Sequence, residues 1–246
     1  MIRFTSYAFA CLISTLAYAQ SPKIAVDVSK PGATISNSLH GIFFEEISHG
    51  GEGGLYAELI QNRSFEESKV PEGCTLDSGW IIPPRTPHFA AQRVVDWKMP
   101  FEAKTDYPAW SLKTNGNASA RIALDLTNPR HTETPRSLRV EIEKADSKNK
   151  ADVINEGFWG IKIEKDETYQ LTFYARGNKY KGDITASLVG ADGNVLSTQQ
   201  FNGVGNEWKK FTATLKATAS DSKATVHLSF SKKGTVWLDF VSLFPT

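Results

Sequence analysis

From residue 136 onward the chain is a succession of short segments in which apolar and polar side chains alternate. This pattern constrains the fold more than any other feature. Leu138-Arg139-Val140-Glu141-Ile142 alternates, as does Tyr169 to Arg176, and Ile184 to Val189 does so weakly. Phe211 to Leu215, Val226 to Phe230 and Val236 to Leu243 follow. A period of two puts successive side chains on opposite faces of a strand. Turn-forming clusters separate the segments: Gly177-Asn178, Gly190 to Asn194, Gly203 to Asn206 and Lys232-Lys233-Gly234. Several short strands at this spacing predict an antiparallel β-sandwich or barrel.

The front of the chain reads differently. Arg3, the apolar run Tyr7 to Leu16 and the Ala17-Tyr18-Ala19 cleavage pattern make residues 1–19 a predicted signal peptide, so the protein is expected to be exported, to periplasm or medium. The apolar run is shorter than the roughly 20 residues a membrane span needs, and no membrane contact is expected after cleavage. Within 20–62, Lys23 to Val28 reads as a strand, Gly41 to Phe44 as a buried strand, Ser48 to Gly54 as a glycine loop and Leu55 to Ile60 as a helix. A lone βα unit cannot bury its own faces, so it points to a larger barrel. Residues 70–135, rich in proline, read as long loops and short strands.

Composition serves mainly to exclude. A net charge of +1 with no basic stripe argues against nucleic acid. Of the two cysteines, Cys11 leaves with the signal and Cys74 remains alone, so no disulfide framework is expected.

Sugar recognition needs flat aromatic faces beside hydrogen-bonding groups. In the strand from Tyr169 to Arg176, the residues Tyr169, Leu171, Phe173 and Ala175 make a core face, leaving Gln170, Thr172, Tyr174 and Arg176 on a polar face with one aromatic. That face is a candidate sugar surface or an ordinary solvated one. Gly157-Phe158-Trp159-Gly160 sets two rings between glycines, making Trp159 a candidate stacking platform or a core residue. Trp208 and Trp237 read as core. Asp239 shares a predicted face with Trp237, Val241 and Leu243, where a carboxylate needs a hydrogen bond, a paired charge or a metal ion. Asn155-Glu156 and Asn206-Glu207 imitate the Asn-Glu pair of barrel glycosidases, but they lie in turns between antiparallel strands and are rejected as catalytic.

The run from Gly41 to Glu66 (GIFFEEISHGGEGGLYAELIQNRSFE) resembles the start of family 51 α-L-arabinofuranosidases, departing at Glu46, Ser48 and Glu52. Gly157 to Gly160, Tyr169 to Arg176 and Trp237 to Pro245 resemble the CenC-type carbohydrate-binding module of families 4 and 9. Together the resemblances imply a mainly β chain: a jelly-roll, galactose-binding-like antiparallel β-sandwich over 63–246, preceded by an orphan βα unit of a (β/α)8 barrel over 20–62. They imply the front of an exported, retaining α-L-arabinofuranosidase acting on arabinose-containing polysaccharides, arabinan or arabinoxylan. Its partner would be the remainder of its own catalytic barrel. Glu45 would hold substrate hydroxyls. The acid/base and nucleophile glutamates are expected elsewhere, so no catalytic residue is assigned in this chain. The alternatives are a stand-alone binding module and a structural spacer. No cofactor is expected beyond a possible structural calcium, whose ligands by resemblance would be Glu66 and Asp239.

Overall fold

In the computed structural model, which describes residues 27, 29–30, 32, 34, 36, 50–51, 53–84, 98–101 and 103–246, the alternating segments become strands. Fourteen are present among these residues: β1 (Thr75–Asp77), β2 (Trp80–Ile82), β3 (Met99–Pro100), β4 (Trp110–Thr114), β5 (Ser119–Asp125), β6 (Ser137–Lys144), β7 (Ala151–Asn155), β8 (Ile161–Ile163), β9 (Thr168–Asn178), β10 (Ile184–Val189), β11 (Val195–Phe201), β12 (Lys209–Lys216), β13 (Asp221–Phe230) and β14 (Gly234–Pro245). The chain divides into two units, Met1–Phe44 and Glu45–Thr246, and every strand named belongs to the second. The predicted signal peptide, the first barrel strand and Glu45 lie outside the described residues.

Two antiparallel sheets make the body. One runs β12-β9-β14-β6-β5; the other runs β11-β10-β13-β7-β4, with β8 paired to β13. A small third sheet joins β1, β2 and β3. The expected β-sandwich is therefore present. Its core is the inner face of both sheets, because the period of two delivers Leu138, Val140, Leu171, Phe173, Val226 and Leu228 to one side with no exposure. Phe173 joins the layers: its ring stacks on Phe211 at 5.1 Å and meets Phe201 of the facing sheet edge-on at 5.1 Å. The β10–β11 hairpin turns at Gly190 to Asn194, where Gly193 takes φ 85° and Asp192 Oδ1 accepts the Asn194 N–H at 2.9 Å.

The helix expected over Leu55 to Ile60 is a correction. This segment is a turn followed by extended chain, and no helix occurs among the described residues. The reason is tertiary. Glu58 is fully buried, and its Oε1 accepts the N–H of Ile60 at 3.0 Å and of Leu243 at 2.8 Å. Leu59 N–H donates to the Leu243 carbonyl at 3.0 Å, and Val241 N–H to the Arg63 carbonyl at 3.0 Å. Ile60 and Phe65 enter the same core, Phe65 packing on Trp110 at 5.2 Å. A short segment of good helix formers gains only tenths of a kcal/mol per residue from propensity, less than these bonds and this burial supply.

A second correction concerns β14. Its pairing with β9 shifts register between Asp239 and Ser242, and Phe240 takes φ 46°. This bulge inserts residues into the alternation. Val236, Leu238, Val241 and Leu243 are fully buried, whereas Trp237 is the register partner of Arg176 on the outer face. Asp239 therefore does not share a face with Val241 and Leu243 as the unbroken period predicted.

Candidate functional site

The two outer faces differ in chemistry. On the five-stranded face Trp237, Tyr174 and Phe240 are each met by an arginine. Arg176 lies 3.8 Å from the Trp237 ring centroid and 5.3 Å from that of Trp208. Trp237 is buried, as expected, and Trp208, expected in the core, is only half-buried; both rings lie against this guanidinium. Arg130 lies 4.0 Å from the Phe240 centroid and 4.5 Å from Tyr174, and Arg63 lies 5.5 Å from Phe240 and 5.6 Å from Tyr56. Cation–π contacts of this kind are worth about 0.5–2 kcal/mol each. Carboxylates complete the network. Asp125 accepts from Trp237 Nε1 at 3.0 Å and Arg139 Nη1 at 3.3 Å, and Arg121 pairs with Glu141. Arg176 is 8% exposed and donates to the Thr127 carbonyl at 3.3 Å; burial lowers its pKa, opposed by Asp125 and Glu207. Tyr174, half-buried, is covered on one side by Arg130. The two residues share a face as expected, but that face is already occupied by the chain's own side chains.

Glu66 and Asp239 are brought near enough for the Glu66 charge to act on Asp239. Asp239 Oδ1 accepts the Phe240 N–H at 2.8 Å and Oδ2 accepts Arg130 Nε at 3.1 Å. Glu66 Oε1 accepts the Arg136 N–H at 2.9 Å, and its Oε2 lies 3.7 Å from Arg136 Nε. Burial pushes Asp239 up to about 7 despite Arg130. No group of three metal-ligating side chains occurs among the described residues. Calcium takes six to eight oxygen ligands, whereas here an arginine already lies on each carboxylate. Arg130 and Arg136 hold these two carboxylates, with Glu66 Oε2 left buried and without a hydrogen bond.

The six-stranded face is a hydrogen-bonding grid. Strand pairing aligns Thr198, Ser187, His227, Ile154 and Ser111 in one row across five strands, and Gln200, Thr185, Ser229, Asp152 and Lys113 in the next. Ser187 is buried; Thr185, Asp152, Ile154, His227 and Ser229 are half-buried; the rest are exposed. His227 Nε2 bonds Thr225 Oγ1 at 3.0 Å, and Ser187 Oγ bonds Thr198 Oγ1 at 3.0 Å. Burial lowers the His227 pKa, with Lys113 adding and Asp152 opposing, so the ring favours its neutral, donor-plus-acceptor form. Lys223 continues the outward alternation of β13, and its ammonium donates to the Trp159 carbonyl at 2.5 Å. Trp159, 63% exposed, thus stands at one end of this grid, away from Tyr174 and Arg176 on the other sheet. Sequence reasoning overlooked the grid. The signal was there in β13, where Thr225, His227 and Ser229 alternate with buried neighbours just as the polar residues of β9 do.

Residues 101–234 match the Carbohydrate binding domain of families 4 and 9. The chain belongs to this family of carbohydrate binding domains. It is also 29% identical over 232 residues to Alpha-L-arabinofuranosidase 1 of Arabidopsis thaliana, covering 90% of this chain and 29% of that protein. Against the Extracellular exo-alpha-L-arabinofuranosidase of Streptomyces chartreusis it is 28% identical, covering 90% of this chain and 22% of that protein. The arabinose-bound MgGH51 α-L-arabinofuranosidase superposes with a TM-score of 0.59 at 28% identity, covering 82% of this chain and 28% of the other. The chain spans less than a third of the length of these relatives. The binding domain thus has family 51 arabinofuranosidases as homologues.

Proposed function

We propose that this chain supplies carbohydrate binding to an exported α-L-arabinofuranosidase acting on arabinan or arabinoxylan, with the polar face of the six-stranded sheet as the sugar surface. The observation that carries this reading is the half-exposed grid around His227 with Trp159 at its end, in a member of a carbohydrate binding family. Hydroxyl, amide and neutral imidazole groups match the donors and acceptors of a glycan, and the indole offers the apolar face that a sugar ring needs. Hydrolysis is assigned to the remainder of the longer enzyme, where paired carboxylates would act. Glu45 would bind substrate there, and Glu45→Ala in a full-length enzyme should reduce turnover sharply. Affinity electrophoresis tests the binding reading: the chain should be retarded in arabinoxylan or arabinan gels, and Trp159→Ala should be retarded markedly less. Absence of retardation for the unaltered chain rejects it. A spacer role has one observation in its favour. Leu55 and Tyr56 are 74% and 47% exposed beside the buried Ile60, an apolar edge that a neighbouring barrel would cover.

A further inference from the structure

At the edge of the six-stranded sheet, where the segment after Ile60 meets the chain leading into β4, there is an open pocket of about 350 Å³. Gln61, Lys104, Thr105, Trp110, Ser111 and Glu156 contribute to its lining. Its walls come from three distant parts of the chain and are tied together by buried side chains. Asn62 Nδ2 donates to the Pro108 carbonyl at 3.0 Å, Trp110 Nε1 to the Asn62 carbonyl at 2.9 Å, and Asn155 Nδ2 to the Gln61 carbonyl at 3.0 Å. Glu156 N–H donates to the Ala109 carbonyl at 3.2 Å, closing the ring of contacts.

The backbone around this pocket is strained. Asn62, Phe65 and Ala109 take φ of 53°, 62° and 64°. For phenylalanine and alanine the left-handed region costs of order 1–3 kcal/mol, and such positions gather at ligand clamps. The lining also carries unspent hydrogen-bonding capacity. The Glu156 carboxylate, the Lys104 ammonium and the hydroxyls of Thr105 and Ser111 make no hydrogen bond or ion pair among the described residues.

We propose that this pocket is a second carbohydrate subsite that takes one or two neutral sugar rings at the end of a glycan lying on the polar face. One negative and one positive group cancel, so the lining suits an uncharged polyhydroxy ligand better than a phosphate or a uronate. Glu156 accepts from two hydroxyls, while Lys104, Thr105 and Ser111 donate, and Pro108, Ala109 and Trp110 supply an apolar wall. The volume lies at the lower end of ligand clefts, about 300–1,000 Å³, which limits the occupant to a short end. Ser111 belongs to both the pocket and the first row of the grid, so the two sites are continuous.

This inference rests on the carbohydrate reading, and one experiment separates their fates. The full chain is titrated with arabinotriose, with xylotriose alongside, by amide chemical-shift mapping, for the unaltered protein and for Glu156→Gln, Ser111→Trp and Trp159→Ala. We expect shifts at Ser111 and Glu156, binding about tenfold weaker in Glu156→Gln, and none in Ser111→Trp. Shifts confined to Thr225 and His227, with affinity unchanged in Glu156→Gln, overturn the pocket and leave the face intact. Pocket binding without any retardation in polymer gels upholds the pocket and removes the face. No shift with either trisaccharide overturns the pocket, and the gels then decide the face alone.

Discussion

On the five-stranded face the aromatic rings are taken up by the chain's own arginines, whereas on the six-stranded face a grid of hydroxyls, carboxamide, carboxylate and imidazole is left half-exposed. Both faces arise from the same two-residue alternation. The first carries Trp237, Tyr174 and Phe240, the residue types expected of a sugar platform, but Arg176 and Arg130 cover them. The second carries a single exposed indole, Trp159, at its end. Residue type is therefore a poor guide to which face recognises a ligand, because an aromatic ring already stacked on a guanidinium has no free face toward the solvent on that side.

The comparison predicts unequal responses to substitution. The largest effect should come from Arg130→Met at pH 8, which takes the cation from the fully buried Asp239 and leaves its carboxylate either uncompensated or forced to take up a proton. Breaking a buried pair in this way costs about 3–5 kcal/mol. Urea denaturation should show that loss, with a smaller one at pH 5.5, where Asp239 can take up a proton. His227→Ala on the other face should cost no more than ~1 kcal/mol. Equal losses would erase the distinction between the faces.

The next effect is pH dependence. Asp239 has a folded pKa of about 7 against an ordinary 3.8, so between these values the folded chain holds a proton that the unfolded chain has released. Its contribution is complete below pH 3.8 and is lost as pH rises through 7, with a slope of up to ~1.4 kcal/mol per pH unit. The difference in unfolding free energy between the unaltered chain and Asp239→Asn should therefore change across pH 4–7. A constant difference would show that Asp239 titrates normally.

Trp159→Ala should lose about tenfold in affinity for arabinoxylan, ~1.4 kcal/mol, while changing stability by less than ~0.5 kcal/mol. Tyr174→Ala should do the reverse, lowering stability and sparing gel retention. Exchanged results would return the sugar surface to the five-stranded face. The smallest expected effect is that of calcium. An ion present at a hundred times its Kd would add ~2.7 kcal/mol, some 5–10 °C in a domain of this size. With arginines on Glu66 and Asp239, millimolar calcium and a chelator should give melting temperatures within about 1 °C of each other, and a rise of several degrees would restore the ion.

The sequence by itself determined the sandwich. The strands centred on Leu138 to Ile142, Tyr169 to Arg176 and Val236 to Leu243 were legible because a period of two is a local property, and the turn residues between them act within a few positions. The early strands β1 to β5 were legible only as short strands among loops, since β1 to β3 span two or three residues each and β4 and β5 are held by β7 and β6, further along the chain. Tertiary structure alone decided the rest. It drew Leu55 to Ile60 out of a helix because Glu58 caps the distant Leu243 N–H. It put Trp237 on an outer face because a bulge at Asp239 and Phe240 resets the alternation. It set Arg130 on Asp239, residues separated by 109 positions, which no local pattern announces. It also assembled a pocket from Gln61, Lys104 and Glu156. Periodicity encodes which way a side chain points from its own backbone. What stands opposite that side chain depends on loops and partners brought together by folding.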